Sequence, residues 1–295
     1  MSTHDLPDPL TQFPRFAPER QTQEEPGLSA RMDPEPDCGE DTYVGSGRLK
    51  GRRALVTGGD SGIGRAVALA YAREGADVVF THLPEEAEDA ARTTELLDAE
   101  GVRHAAREVD LRDEAATRAL VRDAVEFLGG LDLIANVAGE QRYVDDLAEL
   151  DPRQVRDTFE INVFALIWIV QEALPHLPAG AAIVNTASTQ ATTPLPGLVD
   201  YAGTKGAIVS ITKALAQQLT PRGIRVNAVV PGAIWTPIQV SLGRAPEQVD
   251  VLGHDAPLGR PGQPAEMAPA YVFLASTEAS YVSGEVLGAT GGTLY

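Results

Sequence analysis

The sequence is poor in cysteine, in basic residues and in long apolar runs, and each shortage argues against a class of protein. Its 295 residues contain one cysteine, Cys38, so no disulfide can form within the chain and a disulfide-rich secreted fold is not indicated. Acidic residues number 42 against 24 lysines and arginines, a balance that disfavours nucleic acid and anionic membranes as partners. The five histidines show no metal-ligand spacing, so no metal site is expected; they are His4, His82, His104, His176 and His254.

The sequence indicates neither a membrane protein nor a secreted one. The segment from Met1 to Asp5 has no basic region followed by an apolar stretch, which is unlike a signal peptide. The longest apolar runs, such as residues 161–170, are too short or too polar to span a bilayer. We therefore expect a cytoplasmic protein that acts without a membrane.

Residues 1–46 differ in composition from the rest of the chain. They are rich in proline and acidic residues and poor in aliphatic ones, so they cannot bury enough apolar surface to form a core. Two interpretations stay open: a disordered tail, or an extended arm lying across the body or a neighbouring subunit, anchored by Phe13, Phe16 and Tyr43. Residues 47–295 are expected to form one catalytic domain. The prolines in question are Pro7, Pro9, Pro14, Pro18, Pro26, Pro34 and Pro36.

From Arg52 onward, short β-branched runs alternate with longer segments of helical periodicity. The pattern predicts strands at 54–57, 77–81, 104–109, 131–135, 182–186, 225–230 and 286–289. It predicts helices at 64–74, 85–100, 113–128, 152–176 and 202–220, and a last one opened by Pro264. Apolar strands that alternate with helices favour a parallel sheet with both faces covered. The expected fold is α/β: a single doubly wound Rossmann-like domain with a seven-stranded parallel sheet flanked by helices.

A glycine-rich turn follows the first strand directly, in the segment from Thr57 to Gly64. Glycine at 58, 62 and 64 lets the backbone approach a pyrophosphate, and the following helix offers free N–H groups to the anion. Because a strand precedes this turn and a helix follows it, the context is the one that dinucleotide binding requires.

The spacing Thr-Gly-x-x-x-Gly-Ile-Gly resembles the cofactor loop of the short-chain dehydrogenase/reductase family. The resemblance covers about residues 50–292 and implies an enzyme that uses NAD or NADP. The proline-rich arm followed by residues 45–50 is similar to the glucose/ribitol dehydrogenase-like general stress oxidoreductases of that family. From the loop, the resemblance assigns cofactor binding to Gly58, Asp60, Ser61, Gly62, Ile63 and Gly64.

Other segments that follow strands match further cofactor contacts of that family. Asp110-Leu111 is expected beside the adenine, and residues 136–139 resemble the family's Asn-Asn-Ala-Gly with valine at the second position. The segment after the sixth strand is expected to contact the nicotinamide amide. The residues that the resemblance assigns to cofactor binding here are Asp110, Leu111, Asn136, Ala138, Gly139, Pro231, Gly232, Ile234 and Thr236.

Tyr201 and Lys205 lie four residues apart, a spacing that places both on one face of a helix. An ammonium group near a phenol favours tyrosinate, so we expect Lys205 to lower the pKa of Tyr201 toward the working range. Only three lysines occur in the chain, the others being Lys50 and Lys213. Because the other basic residues are arginines, a lysine at this position supports a specific role for it. The tyrosine would then exchange a proton with a carbonyl or alcohol oxygen without a metal.

Two further residues match the family's catalytic positions. Ser188 precedes Tyr201 by thirteen residues and is expected to orient the substrate oxygen, and Asn162 matches the asparagine that holds a water bridging to the lysine. Tyr201 and Lys205 also count among the cofactor-binding residues. His82 and His254 are not expected to act as catalysts, because the tyrosine already supplies a proton path.

Neither the cofactor preference nor the substrate is fixed by the sequence. The end of the second strand, where an acidic residue selects NAD and a basic residue NADP, holds Thr81 and His82, which suit either cofactor. Three loops are expected to line the substrate pocket. These loops are residues 141–142, which are Gln141 and Arg142, residues 189–198 and residues 234–254. Trp235 and Ile238 suggest an apolar part of the pocket, and Arg142 or Gln190 is expected to hold a polar group of the substrate.

The expected partner is a small carbonyl or alcohol compound, such as an aldehyde, ketone, sugar or polyol. A homotetramer is implied only by the family resemblance. The alternative function is a non-catalytic protein that senses nicotinamide redox state on the same fold. Retention of Asn162, Ser188, Tyr201 and Lys205 favours the enzyme, since a sensor does not need them.

Overall fold

A seven-stranded parallel sheet forms the centre of the molecule, in a computed structural model that describes residues 7–16 and 19–295. His4, Pro18 and the segment from Met1 to Asp5 lie outside the described residues. The strands are β1 (Arg53–Thr57), β2 (Asp77–His82), β3 (His104–Glu108), β4 (Leu133–Asn136), β5 (Ala182–Thr186), β6 (Arg225–Pro231) and β7 (Val286–Ala289). Their order across the sheet, β3-β2-β1-β4-β5-β6-β7, confirms the predicted doubly wound fold.

The middle of the sheet is apolar because helices cover both of its faces. Every side chain of β4, β5 and β6 is buried, which explains their near-continuous apolar sequences. The register aligns Thr57 with Asn136 and Asn136 with Asn185, so the carboxyl ends of β1, β4 and β5 finish level. The residues that follow these strands therefore meet at one edge of the sheet.

Helices pack on the two faces in two groups. The helices are α1 (Gly62–Arg73), α2 (Ala87–Glu100), α3 (Glu114–Leu128), α4 (Pro152–Phe159), α5 (Ala165–Ala173), α6 (Val199–Leu219), α7 (Pro237–Val240) and α8 (Pro264–Ala275). Apolar side chains of α1, α2 and α8 share one core cluster, and those of α3, α5 and α6 share the other. Within residues 7–16 and 19–295, none of the helices combines the length and apolarity that crossing a bilayer demands.

The single helix predicted over 152–176 is interrupted, and that prediction was wrong in this detail. A π-helical turn over Glu160–Phe164 separates α4 from α5, with the Ala165 N–H donating to the Glu160 carbonyl five residues back. Such wide turns often lie at functional sites, and Asn162 is in this one. Helix α6 also begins three residues earlier than predicted, which places Tyr201 within its first turn.

The described part of the N-terminal arm packs on the domain of its own chain. Phe13 is buried under the guanidinium of Arg260, whose carbon lies 5.6 Å from the ring centroid. Phe16 meets the ring of Trp235 edge-on with centroids 5.6 Å apart, and the Trp235 indole N–H donates to the Pro34 carbonyl over 2.7 Å. Aromatic contacts and hydrogen bonds thus hold the arm along the body.

A buried ion pair ties the arm to the glycine-loop helix. The carboxylate of Asp89 accepts from Arg65 over 3.0 Å and from the backbone N–H of Ser29 over 2.6 Å. Both charged side chains are completely buried. Removing one member of such a pair leaves an uncompensated charge inside the protein.

We predict that Asp89→Asn lowers the free energy of unfolding by about 3–5 kcal/mol, because Arg65 then stays buried without its buried counter-charge and keeps only the exposed Glu35 at 3.9 Å. Urea denaturation followed by circular dichroism measures the change. Glu88→Gln is the matched control, since Glu88 pairs with Arg31 on the exposed face of the same helix and such pairs contribute at most about 1 kcal/mol. Equal losses in the two variants would contradict this account of Asp89.

Candidate active site

A cavity of about 890 Å³ opens at the carboxyl edge of the sheet, where ligands bind in folds of this type. Its walls include most of the residues predicted from the sequence for the cofactor and the chemistry. These are Gly58, Asp60, Ser61, Gly62, Ile63, Gly64, Thr81, His82, Asp110, Leu111, Ala138, Gly139, Ser188, Tyr201, Lys205, Pro231, Gly232, Ile234 and Thr236. Asn136 and Asn162 lie behind this wall, on a small cavity between the sheet and the π-helical turn.

The turn between β1 and α1 is held by backbone contacts that only glycine permits. The Gly58 N–H donates to the Thr81 hydroxyl over 2.9 Å, so Thr81 orients the loop. Gly62 has φ of +49°, a left-handed conformation, at the point where α1 begins. A Cβ atom on Gly64 would lie 1.8 Å from the Gly58 carbonyl oxygen, which no side chain allows. The turn is therefore tight, and it has no side chain at 58, 62 and 64, where the backbone must come close to a ligand or to itself.

This cradle fits the pyrophosphate of a dinucleotide. The first N–H groups of α1 have no partner within a helix, and the positive end of the helix dipole faces the cavity. One carboxylate oxygen of Asp60 is also buried without a hydrogen-bond partner among the described residues, which suits a donor such as a ribose hydroxyl. The residues present therefore fit a nicotinamide dinucleotide.

Two carboxyl groups share the β2 end of the cavity. Burial raises the pKa of Asp60 to about 6, and burial together with the charge of Asp60 raises the pKa of Glu86 to about 8. The Glu86 carboxylate accepts from the Leu83 N–H over 2.7 Å, which holds it beside His82. The charge of Arg65 lowers the pKa of Asp60 against the effect of burial, but its guanidinium is paired with Asp89.

Tyr201, Ser188 and Lys205 come together on the opposite side of the cavity. The Lys205 ammonium donates to the Thr186 carbonyl over 2.9 Å and lies 5.3 Å from the centre of the Tyr201 ring. All three side chains are buried to at least nine-tenths. A phenol, a hydroxyl and an ammonium group in this arrangement offer a proton donor, an orienting hydrogen bond and a positive charge to one ligand oxygen.

The charge states of this group differ from those expected from the sequence. Burial raises the pKa of Tyr201 to about 12, although a hydrogen bond from Ser188 and the positive charge of Arg244 act in the other direction. Burial also lowers the pKa of Lys205 to about 8. The expectation that Lys205 lowers the pKa of Tyr201 is therefore wrong for this structure, because loss of hydration dominates for both groups.

Asn162 fixes the backbone behind Tyr201 and Lys205. Its amide oxygen accepts from the Glu140 N–H over 2.8 Å, and its amide nitrogen donates to the Glu140 carbonyl and the Thr204 hydroxyl, each over 3.0 Å. The amide group is thus fully hydrogen-bonded to protein. Through these bonds the π-helical turn sets the position of the chain that follows Gly139.

Asn136 has a comparable position beside the sheet. Its amide nitrogen donates to the Asn185 amide oxygen over 2.9 Å, and its carbonyl accepts from the Thr186 hydroxyl over 2.7 Å. The side chain therefore links β4 to β5 and does not line the cavity. The predicted packing of residues 136–139 against a cofactor applies in this structure to Ala138 and Gly139.

One prediction for the substrate pocket is wrong, and the charge environment of a second residue was not foreseen. Trp235 is fully buried against the arm and forms no part of the cavity wall, so it supplies no apolar contact there. Arg142 lines the cavity but lies 2.8 Å from Glu25 and 3.1 Å from Glu140, so its charge is already balanced. Ile238 and Gln190 do line the cavity, as predicted.

Three features of the site were missed from the sequence. Residues 25–27 of the arm form part of the cavity wall, although no local signal connects them to loops more than 100 residues away. Glu140 is a buried carboxyl whose pKa burial raises to about 7, and it directly follows the recognised Gly139. Arg244 lies in the predicted loop 234–254 but was not singled out there.

The comparisons with known proteins agree over nearly the whole chain. A family model described as enoyl-(acyl carrier protein) reductase matches residues 58–293. The chain is 53% identical over 287 residues to the uncharacterized oxidoreductase YghA of Escherichia coli, covering 97% of this chain and 98% of that protein. It is 40% identical over 291 residues to the glucose and ribitol dehydrogenase of Daucus carota, covering 95% and 97%. Most of the arm is therefore included in these alignments.

A solved structure matches the fold as well. The short chain dehydrogenase from Burkholderia cenocepacia, crystallised in complex with NADP, superposes with a TM-score of 0.78 at 36% identity. The match covers 83% of this chain and 98% of that one. The architecture around the cavity is thus shared with a protein that binds a nicotinamide dinucleotide.

We predict that Gly64→Ala lowers the free energy of unfolding by about 1–3 kcal/mol, because its Cβ would collide with the Gly58 carbonyl and force the turn open. Thermal denaturation measures the shift. Gly206→Ala, in α6, is the control: its nearest neighbour would be 3.9 Å away, and alanine is the better helix former by about 1 kcal/mol. A Gly64→Ala protein as stable as the native one would contradict the tight-turn interpretation.

Proposed function

Since the chain belongs to the short-chain dehydrogenase/reductase family, we propose that it transfers hydride between NAD or NADP and a carbonyl or alcohol carbon of a small molecule. The observation that carries this proposal is the meeting of Tyr201, Ser188 and Lys205 in the cavity that also contains the glycine loop. A bound nicotinamide would supply or accept the hydride. The protein's own residues would bind, orient and handle the proton.

Each of these residues has a role that its surroundings support. With a pKa of about 12, Tyr201 holds its proton at neutral pH and donates it to a carbonyl oxygen during reduction. Ser188 hydrogen-bonds the same oxygen and orients it. Lys205, which is charged below a pKa of about 8, would place a positive charge beside the reacting oxygen. Asn162 acts as a positioning residue through Glu140.

The cofactor assignments follow the walls of the cavity. We propose that Gly58 to Gly64 hold the pyrophosphate, that Asp60, Thr81 and His82 face the adenosine ribose, and that Asp110 and Leu111 border the adenine. The nicotinamide half would lie against Gly139 and the segment from Pro231 to Thr236. Three further expectations stay predictions. Limited proteolysis tests the domain division at residue 46, light scattering tests the homotetramer, and cell fractionation tests the cytoplasmic location.

We predict that Tyr201→Phe lowers kcat by about 10²–10⁴-fold, because the phenylalanine has no proton to give. Absorbance of the reduced nicotinamide, with a panel of aldehydes, ketones and polyols and with both cofactors, measures turnover. Fluorescence titration with the reduced cofactor should show nearly unchanged binding. Tyr143→Phe is the control, since its hydroxyl bonds Asp145 outside the cavity. Cofactor binding without turnover of any compound by the native protein would support the redox-sensing alternative.

A second prediction concerns the choice between NAD and NADP. The carboxyl of Glu86, with a pKa of about 8, is mostly neutral at pH 7 and charged at pH 9. A 2′-phosphate beside it is repelled only in the charged form, so the ratio of the Kd for NADP to that for NAD should rise about tenfold over this range. Glu86→Gln keeps the bond from Leu83 and should abolish the rise.

Glu88→Gln controls for the loss of one charge on the same helix outside the cavity, and it should behave as the native protein does. A rise of equal size in Glu86→Gln would show that another group controls the pH dependence. Because only the ratio is measured, the result does not depend on which cofactor binds more tightly.

A further inference from the structure

Arg244 carries a positive charge on the cavity wall and forms no ion pair with the described residues. The cavity contains three arginines, of which Arg112 lies 2.8 Å from Asp110 and Arg142 lies 2.8 Å from Glu25. Among residues 7–16 and 19–295, no carboxylate oxygen comes within 4.0 Å of Arg244. Such isolation is unexpected in a chain with 42 acidic residues, because a partly buried guanidinium loses hydration without gaining a partner.

The protein holds this guanidinium in a defined place. Its Nε donates to the Gln239 amide oxygen over 2.8 Å, and in the described part of the chain this is its only side-chain hydrogen bond. The preceding residue, Gly243, donates its N–H to the Ile238 carbonyl over 3.0 Å and accepts from the Gln141 amide. A Cβ atom on Gly243 would lie 2.1 Å from the Ile238 oxygen, so this loop conformation requires glycine. The terminal nitrogens of Arg244 remain available to a ligand.

Arg244 faces the part of the cavity where the proposed chemistry occurs. Arg244 and Tyr201 both line this cavity, and the positive charge of Arg244 lowers the pKa of Tyr201 against the effect of burial. Burial lowers the pKa of Arg244 itself, while Asp255 and Tyr201 act weakly in the opposite direction. The glycine loop and its carboxyl groups, by contrast, follow β1 and β2 at the other end of the site.

We propose that Arg244 binds an anionic oxyacid group of the substrate, which is a carboxylate or a phosphate. The reacting carbon of the same substrate then lies at Tyr201. A guanidinium offers two parallel N–H donors that match the paired oxygens of either group. This rests on the proposed function and narrows it to oxo acids, hydroxy acids and phosphorylated aldehydes or polyols. In reduction the nicotinamide would give its hydride to the carbonyl carbon while Tyr201 gives its phenol proton to the carbonyl oxygen. In oxidation the alcohol carbon would give its hydride to the oxidised nicotinamide, and the hydroxyl proton would go to Tyr201 in its deprotonated form.

Matched substrate pairs test the inference directly. Succinic semialdehyde against butanal tests the carboxylate, and glyceraldehyde 3-phosphate against glyceraldehyde tests the phosphate. In the native enzyme at least one charged compound should exceed its neutral partner in kcat/KM by about tenfold or more. Arg244→Gln should lower that ratio by about 100-fold, with Arg244→Lys in between. Arg112→Gln, which removes a paired arginine of the same cavity, should leave the ratio within about twofold.

Two results would overturn the inference: neutral compounds preferred over both charged ones, or a loss in Arg244→Gln that is equal for charged and neutral compounds. Binding of succinate and of inorganic phosphate, measured by calorimetry on native and Arg244→Gln protein, separates this inference from the proposed function. Arg244-dependent binding without any turnover keeps the anion site and rejects the dehydrogenase. Turnover of neutral aldehydes without Arg244-dependent binding keeps the dehydrogenase and rejects the anion site.

Discussion

The whole site depends on one geometric constraint: seven parallel strands end at the same edge of one sheet. Thr57, Asn136 and Thr186 finish side by side, so the segments that follow them converge without any long-range signal in their sequences. The Thr186 carbonyl receives the Lys205 ammonium, and the Thr57 hydroxyl receives the N–H groups of residues 137 and 138. The chemistry is therefore assembled by backbone groups of the sheet as much as by side chains.

Burial, rather than pairing of opposite charges, dominates the electrostatics of this edge. The pKa of Lys205 falls to about 8, while those of Asp60 and Glu86 rise to about 6 and about 8. In each case the neutral form is favoured because the cavity withholds water from the charged one. Arg244 is the exception, since a guanidinium keeps its proton at any ordinary pH and has no carboxylate within 4.0 Å among the described residues.

The sequence predicted the features that are local. The glycine turn, the individual strands and the spacing from Tyr201 to Lys205 each depend on residues a few positions apart. The structure forms the seven strands, and the turn and both side chains line the cavity. The π-helical turn was missed because Asn162 is held there by Glu140, which lies 22 residues earlier. Trp235 was assigned to the pocket because its partners in the arm are about 200 residues away. The prediction for the pKa of Tyr201 was wrong because the spacing of Tyr201 and Lys205 along the chain does not show how deeply the two side chains are buried.

The arm has a consequence for the way in which the protein is made. Its contacts join Pro9 to Arg260, Pro34 to Trp235 and Asp37 to Gln263, across 251, 201 and 226 residues. The earliest described segment to leave the ribosome thus has its docking surface completed only near the end of synthesis. Since residues 25–27 form part of the cavity wall, a nascent chain can pair β1 to β5 before it has a closed binding site.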